Sequence, residues 1–216
     1  MTQRLVFASH PRGAGTSVNS APPIDPRLAD TPVKRQQLNY LARCALRAGD
    51  ALQTTSRGVL YTFKGEIGLA PGWTDRALTP TEQRWVSACM LAHVNYFEKH
   101  VKVMMEARHT APVPFLTKSG ADHRTYSIFE GAFFGNLFTK APVAYACEGK
   151  KTAVQRTDPV IRDRVCSQPA RTVSGRVRLS ACGFVVTGPC EQPGAVVGGG
   201  RAYHEVINVY LRPQAR

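Results

Sequence analysis

Residues 79–97 read TPTEQRWVSACMLAHVNYF, and the fold is best read outward from this stretch. Thr79 can accept a hydrogen bond from a free amide of a first helical turn. Pro80 fits the next position, where no amide is needed, and Glu82 completes a capping box. Behind that start, Trp85, Cys89 and Tyr96 share one face, flanked by Val86, Met90, His93 and Phe97. So wide an apolar stripe is what a core-facing helix carries, and the stretch is predicted to be the central helix.

Upstream, VKRQQLNYLARCALRA predicts a helix over 33–48. Leu38, Leu41, Ala45 and Ala48 make its stripe, Cys44 lies at the edge, and Gly49 stands where a C-capping glycine would. GVLYTF at 58–63 predicts a strand, Lys64-Gly65 a turn, and residues 66–69 its returning partner. The loop GLAPGWTD at 68–75 carries Trp73, whose ring either lids the core or faces outward to bind a ligand. Burial is the commoner fate of tryptophan. Residues 1–32 bring recurring prolines among small polar residues and predict a flexible leader or linker, because such a segment buries too little to offset the entropy of ordering.

Downstream, HVKVMMEAR at 100–108 alternates as a strand does, and 109–125 is irregular. SIFEGAFFGNLF, 127–138, is densely aromatic, with Gly131 and Gly135 four apart. It fits either a helix that allows close backbone approach or a bent loop packed by its phenylalanines. Residues 141–147 predict a short strand and 148–170 a charged loop. Strands follow over 172–187 and 202–211, with a turn at Gly188-Pro189-Cys190. Helices early and strands late predict an α+β fold: two N-terminal helices packed on a mostly antiparallel sheet, one disulfide-stabilised domain over 33–216.

A hydrophobic share of 43% is enough to bury a core. No apolar run approaches the ~20 residues that cross a bilayer as a helix. The 28 basic side chains outnumber 15 acidic ones, for a net charge of +13. Such a surface favours an anionic polymer or an anionic surface as partner. The charges are dispersed, with nothing longer than Lys34-Arg35 and Lys150-Lys151, whereas a dedicated nucleic-acid binder concentrates them on one face. Nucleic-acid binding is therefore a subordinate reading. No GxSxG, GxGxxG or GxxxxGK motif is present, and Gly198-Gly199-Gly200 lacks the lysine of a phosphate cradle, so no cofactor is expected.

Six cysteines, Cys44, Cys89, Cys147, Cys166, Cys182 and Cys190, form no CxxC pair and show no zinc-finger spacing, so no metal is expected at them. An even count at wide spacing fits disulfides in an oxidising compartment. The opening MTQRLVFASH has an apolar patch too short for a secretory core, so the export reading expects a signal absent from this chain. Fifteen pairings are open. The preferred set is Cys44–Cys89 stapling the two helices, Cys147–Cys166 closing the charged loop, and Cys182–Cys190 clipping a corner.

Few residues could carry chemistry. Cys89 and His93, four apart on one helical face, could act as nucleophile and base. A bridged cysteine beside a flanking histidine is the plainer reading. Glu130, set among phenylalanines, could be an acid/base, since desolvation favours the proton-donating form of a carboxylic acid, but a carboxylate that caps a turn or pairs with an arginine is the commoner case. Asn136 could orient a substrate. Glu66 and Asp75 are candidates for the second carboxylate that a glycosidase would need. His100, His109 and His123 bracket the irregular segment, where metal ligands or general bases often sit, but three histidines at irregular loop spacing are more often solvated or structural, and no metal is expected.

LNYLARCAL (38–46), GLAPGW (68–73), QRWVSACMLAHVN (83–95) and EGAFFGNLF (130–138) together resemble a group of exported, disulfide-containing bacterial proteins with no assigned activity. That resemblance implies export and disulfides, and brings no catalytic residues. The sequence thus predicts a periplasmic or cell-surface binding or structural module. A secreted hydrolase using Glu130 or Cys89/His93 is the rival reading.

Overall fold

The computed structural model describes residues 25–94, 101–107, 112–113, 120–149, 171–173, 177–179, 183–190 and 196–213. These form an α+β fold, and they fall into two compact units divided between Val86 and Ser87.

In the N-terminal unit, Pro26–Ala29 forms a 3-10 turn inside the expected leader, with Ala29 fully buried. Helix α1, Pro32–Ala45, starts at Thr31, whose side chain accepts from the Lys34 amide at 3.3 Å. It buries Leu38, Leu41, Ala42, Cys44 and Ala45. The helix stops at Ala45, short of the predicted Ala48, because Leu46 adopts an extended backbone. The carbonyls left open at the helix end are claimed by a later segment. Ile67 donates to Arg43, Leu69 to Cys44, Ala70 to Ala45, and Glu66 to the Leu46 carbonyl just beyond, all at 2.8–3.0 Å. Arg43 also pairs with Glu66. Gly49, expected as a cap, instead has φ +99° in the turn leading onward.

Strands β1 (Ala51–Ser56) and β2 (Val59–Lys64) form an antiparallel hairpin. Its two-residue turn, Arg57-Gly58, has positive φ at both positions, the backbone whose twist matches that of the strands. The partner of β2 therefore precedes it, rather than following at 66–69. Strand β1 escapes a hydropathy reading because two of its buried positions are Thr54 and Ser56.

Helix α2, Pro80–His93, begins with the capping box. Glu82 N donates to Thr79 Oγ1 at 3.3 Å, and Thr79 N donates to Glu82 Oε2 at 2.8 Å. The sequence did not show that Arg76 clamps the same carboxylate with two 2.6 Å hydrogen bonds. These bonds, opposed by partial burial and aided by Thr79, hold the Glu82 carboxyl down at about 2.

In the C-terminal unit the main sheet has seven strands, with three further elements beside it. In chain order the pieces are β3 (Val103–Ala107), α3 (Gly120–Thr125), β4 (Ile128–Asn136), β5 (Val143–Glu148), β6 (Arg171–Val173), β7 (Val177–Leu179), β8 (Val185–Pro189), β9 (Val196–Gly198), β10 (Arg201–Tyr203) and β11 (Ile207–Leu211). The sheet order is β3-β11-β4-β5-β8-β7-β6, and β9 pairs separately with β10. Every pairing is antiparallel except β5 with β8.

Residues 128–136 are thus a strand, not the helix or loop expected. Both faces of β4 are buried, so the two-residue alternation that would betray a strand is absent from its hydropathy. A Cβ on Gly131 or Gly135 would run into the Cys147 or Val143 carbonyl of β5, so these glycines serve strand approach rather than helix approach. Gly188-Pro189, expected as a turn, lies within β8, where Pro189 stands opposite Glu148.

One side of the sheet holds a cluster of Ala132, Phe134, Tyr145, Cys147, Tyr203 and Val206. Phe134 stacks on Tyr145 with centroids 5.3 Å apart. At the far end of β4, the Leu137 amide donates to Ser87 Oγ of α2 at 2.9 Å.

The disulfide connectivity departs from the preferred set. Cys147 bonds Cys190, with Cα atoms 4.9 Å apart, which overturns both Cys147–Cys166 and Cys182–Cys190. The reason is the parallel pairing of β5 with β8, which sets Cys190 beside the end of β5, its amide donating to the Glu148 carbonyl. Cys44 and Cys89 are each disulfide-bonded, and no described cysteine is free. Cys166 and Cys182 lie outside the described residues, as do His100 and His109.

Candidate functional site

The most concentrated polar chemistry among the described residues lies on the β3–β11–β4 end of the sheet. Along β11 the burial alternates: Ile207, Val209 and Leu211 are buried on one side, while Asn208 and Tyr210 occupy the other. Strand register places Glu106 of β3 directly across from Asn208, and Phe129 of β4 across from Tyr210. Residues directly opposite in an antiparallel pair project to the same side, so Glu106, Asn208, Tyr210 and Phe129 share one face. Rings confirm it: Phe129 lies 5.2 Å from Tyr210.

Helix α3 brings His123 onto this face. Its imidazole meets Tyr210 edge-on at 4.7 Å, and Nε2 stands 3.2 Å from Glu106 Oε2. That approach has the distance of an ion pair without the alignment of a hydrogen bond: both atoms are buried and lack a hydrogen-bond partner. Asn208 Oδ1 is in the same condition. Of five such orphaned atoms among the described residues, three therefore fall on these neighbouring side chains. Glu106 is 8% exposed, and the His123 side chain keeps 26%, although its Nε2 is buried.

Glu130 belongs to the same face through an irregularity. Val209 pairs with Gly131 and Tyr210 with Phe129, which leaves Glu130 as the extra residue of a β-bulge. Bulges re-aim side chains and recur beside functional sites. Alternation from Ala132 puts Glu130 on the side of Asn208. It has no exposed surface at all. Its carbonyl accepts from the Gly149 amide at 2.9 Å.

The other sequence candidates lie elsewhere. His93, at the end of α2, directs Nδ1 at the Cys89 carbonyl 2.8 Å away. The carbonyl accepts, so Nδ1 carries the proton. Cys89 Sγ is 4.0 Å from that nitrogen, but its sulfur is in a disulfide and offers no thiolate. Trp73 is 2% exposed in the turn Pro71–Thr74, as the core-lid reading has it. Asn136 accepts from the Phe138 amide through Oδ1 at 2.9 Å, closing the turn after β4. Glu66 is engaged by Arg43. His123 was noted only as one of three loop histidines, and Glu106 was missed. The alternation of β3 does place Glu106 on one face with Met104, but its partner comes from a helix that the sequence reading left irregular.

Comparison with family models, with curated proteins and with solved structures returns no match.

Proposed function

We propose that the chain is an exported, disulfide-stapled binding module that engages an anionic partner. The observation that carries this reading is the oxidised state of Cys44, Cys89, Cys147 and Cys190. Structural disulfides persist in oxidising compartments and are rare where thiols are kept reduced. A net charge of +13 supports the anionic partner. Several described cations are already committed, as in the pairs Arg27–Asp25, Lys34–Asp30, Arg43–Glu66 and Arg76–Glu82. Arg57, by contrast, is exposed in the turn of the β1–β2 hairpin beside exposed Val59 and Leu60, and Lys64 is exposed at the other end of β2. Basic side chains interleaved with apolar ones suit the surface of an acidic polymer or an anionic lipid headgroup layer.

Both groups on which a hydrolase would rely are withdrawn from solvent chemistry: Cys89 by oxidation, Glu130 by complete burial. No described helix is long and apolar enough to cross a membrane.

Two measurements test the reading. Thiol titration of denatured, unreduced protein from its native compartment should find at most the two sulfurs of Cys166 and Cys182; six free thiols would end the export argument. Retention on an immobilised acidic polysaccharide should fall steeply with salt and weaken further in an Arg57→Glu/Lys64→Glu variant. Retention insensitive to salt would remove the anionic partner.

A further inference from the structure

From Glu106, His123 and Asn208 we infer a binding site for a divalent first-row transition-metal ion, with Zn2+ as the best-fitting occupant. The inference is independent of the anionic-partner reading. It starts from the three orphaned atoms: a carboxylate oxygen, an imidazole nitrogen and an amide oxygen, all buried and all without a hydrogen bond. Burying such atoms unpaired costs free energy, and a native fold rarely gathers three on adjacent side chains without something to satisfy them. Each is a metal-ligand atom, and a borderline cation accepts this mixture of nitrogen and oxygen.

The geometry of the central pair agrees. Glu106 Oε2 and His123 Nε2 are 3.2 Å apart yet not aligned to share a proton. Two ligands of one tetrahedral cation, with bonds of about 2.0–2.1 Å, are separated by roughly 3.3 Å, since the tetrahedral edge is about 1.6 bond lengths. Asn208 stands in the cross-strand position nearest Glu106, where side chains opposite each other begin about 5 Å apart at Cβ. Tyr210, edge-on to the imidazole at 4.7 Å, fixes the ring plane, as outer-shell contacts of metal-bound histidines do. The His123 side chain keeps 26% exposure while its Nε2 is buried, so an ion would reach the three ligand atoms past the imidazole.

Cys44, Cys89, Cys147 and Cys190 are oxidised and cannot compete for the ion, and a Cys166→Ser/Cys182→Ser background removes the two remaining sulfurs from the test. Co2+, a spectroscopic stand-in for Zn2+, is titrated into the full-length protein at neutral pH after chelator treatment. One equivalent should bind with the visible absorption of a four- or five-coordinate ion, and Zn2+ should displace it. Glu106→Gln and His123→Gln should each weaken binding at least tenfold. Asn208→Asp, which keeps the shape and adds a charge, should tighten it. Should a variant fail to fold, the wild type still decides: sub-stoichiometric Co2+ must broaden the ring signals of His123 and Tyr210 before those of any other histidine or tyrosine. No binding at millimolar Co2+, binding unchanged in the Glu106→Gln/His123→Gln protein, or broadening that begins at another histidine would each overturn the site and leave Glu106–His123 as an ordinary ion pair.

Discussion

Replacing Cys147 and Cys190 by alanine should destabilise the protein by about 4–5 kcal/mol, and the strands should not suffer alike. The bond joins residues 43 apart in sequence. In the chain-entropy relation a closed loop of that length removes about 13 cal/mol/K from the unfolded ensemble, or ~4 kcal/mol at 25 °C. Cys147 is 1% exposed within the aromatic cluster, so losing its sulfur adds about 1 kcal/mol of lost packing. The bond also sits at the one parallel pairing among the described strands. Among the described residues, strands β6, β7 and β8 pair with the rest of the sheet through β5–β8 alone, a parallel pairing whose register shifts between Ala146 and Glu148. Parallel pairs are slightly less stable per residue than antiparallel ones. Urea unfolding of the unreduced wild type against the double variant measures the total. Hydrogen exchange locates it: amides of β8 should lose more protection than those of β11. A loss below about 1 kcal/mol would refute the cross-link argument. Equal or greater loss in β11 would refute the claim that the staple secures the outer strands.

Glu82 gives a pH signature. Its folded pKa of about 2 lies below the ordinary 4.5, so its contribution is present above 4.5 and is lost as pH falls through 2. Glu82→Gln should cost about 1–2 kcal/mol at neutral pH, well under the value of the full shift because Arg76 is half-exposed, and should flatten the acid side of a stability–pH curve measured by urea unfolding. Phe134→Ala should cost about 3–5 kcal/mol and weaken the tyrosine part of the near-ultraviolet dichroism, since the ring is fully buried between Tyr145 and Tyr203, each 5.3 Å away.

What the sequence made legible was local. The capping box at Thr79 and Glu82 needs only residues three apart, so it reads directly from the letters; the Arg76 clamp does not, because it arrives from a loop. The helical starts and the α+β class follow from periodicity and order. Strand β4 was opaque because burial on both faces removes the alternation by which strands are recognised. Strand β1 was opaque because hydroxyls fill two of its inward positions. The Cys147–Cys190 bond depends on a parallel pairing between segments far apart in the chain, which no cysteine spacing encodes. The polar group on the sheet face is of the same kind: Glu106, His123 and Asn208 come from three separate elements, and only strand register and one helix bring them together. His123 was visible as a residue type. Its companions were not.

Within residues 128–133, the part of β4 that pairs with β11, Glu130 is the residue that the ladder could do without. Excise it, and Gly131 still meets Val209, Phe129 still meets Tyr210, and Ile128 still meets Leu211, now in an unbroken register. The kink therefore divides the two edges of β4: Glu130 drops out of the ladder toward β11, while its carbonyl still holds the Gly149 amide on the side of β5.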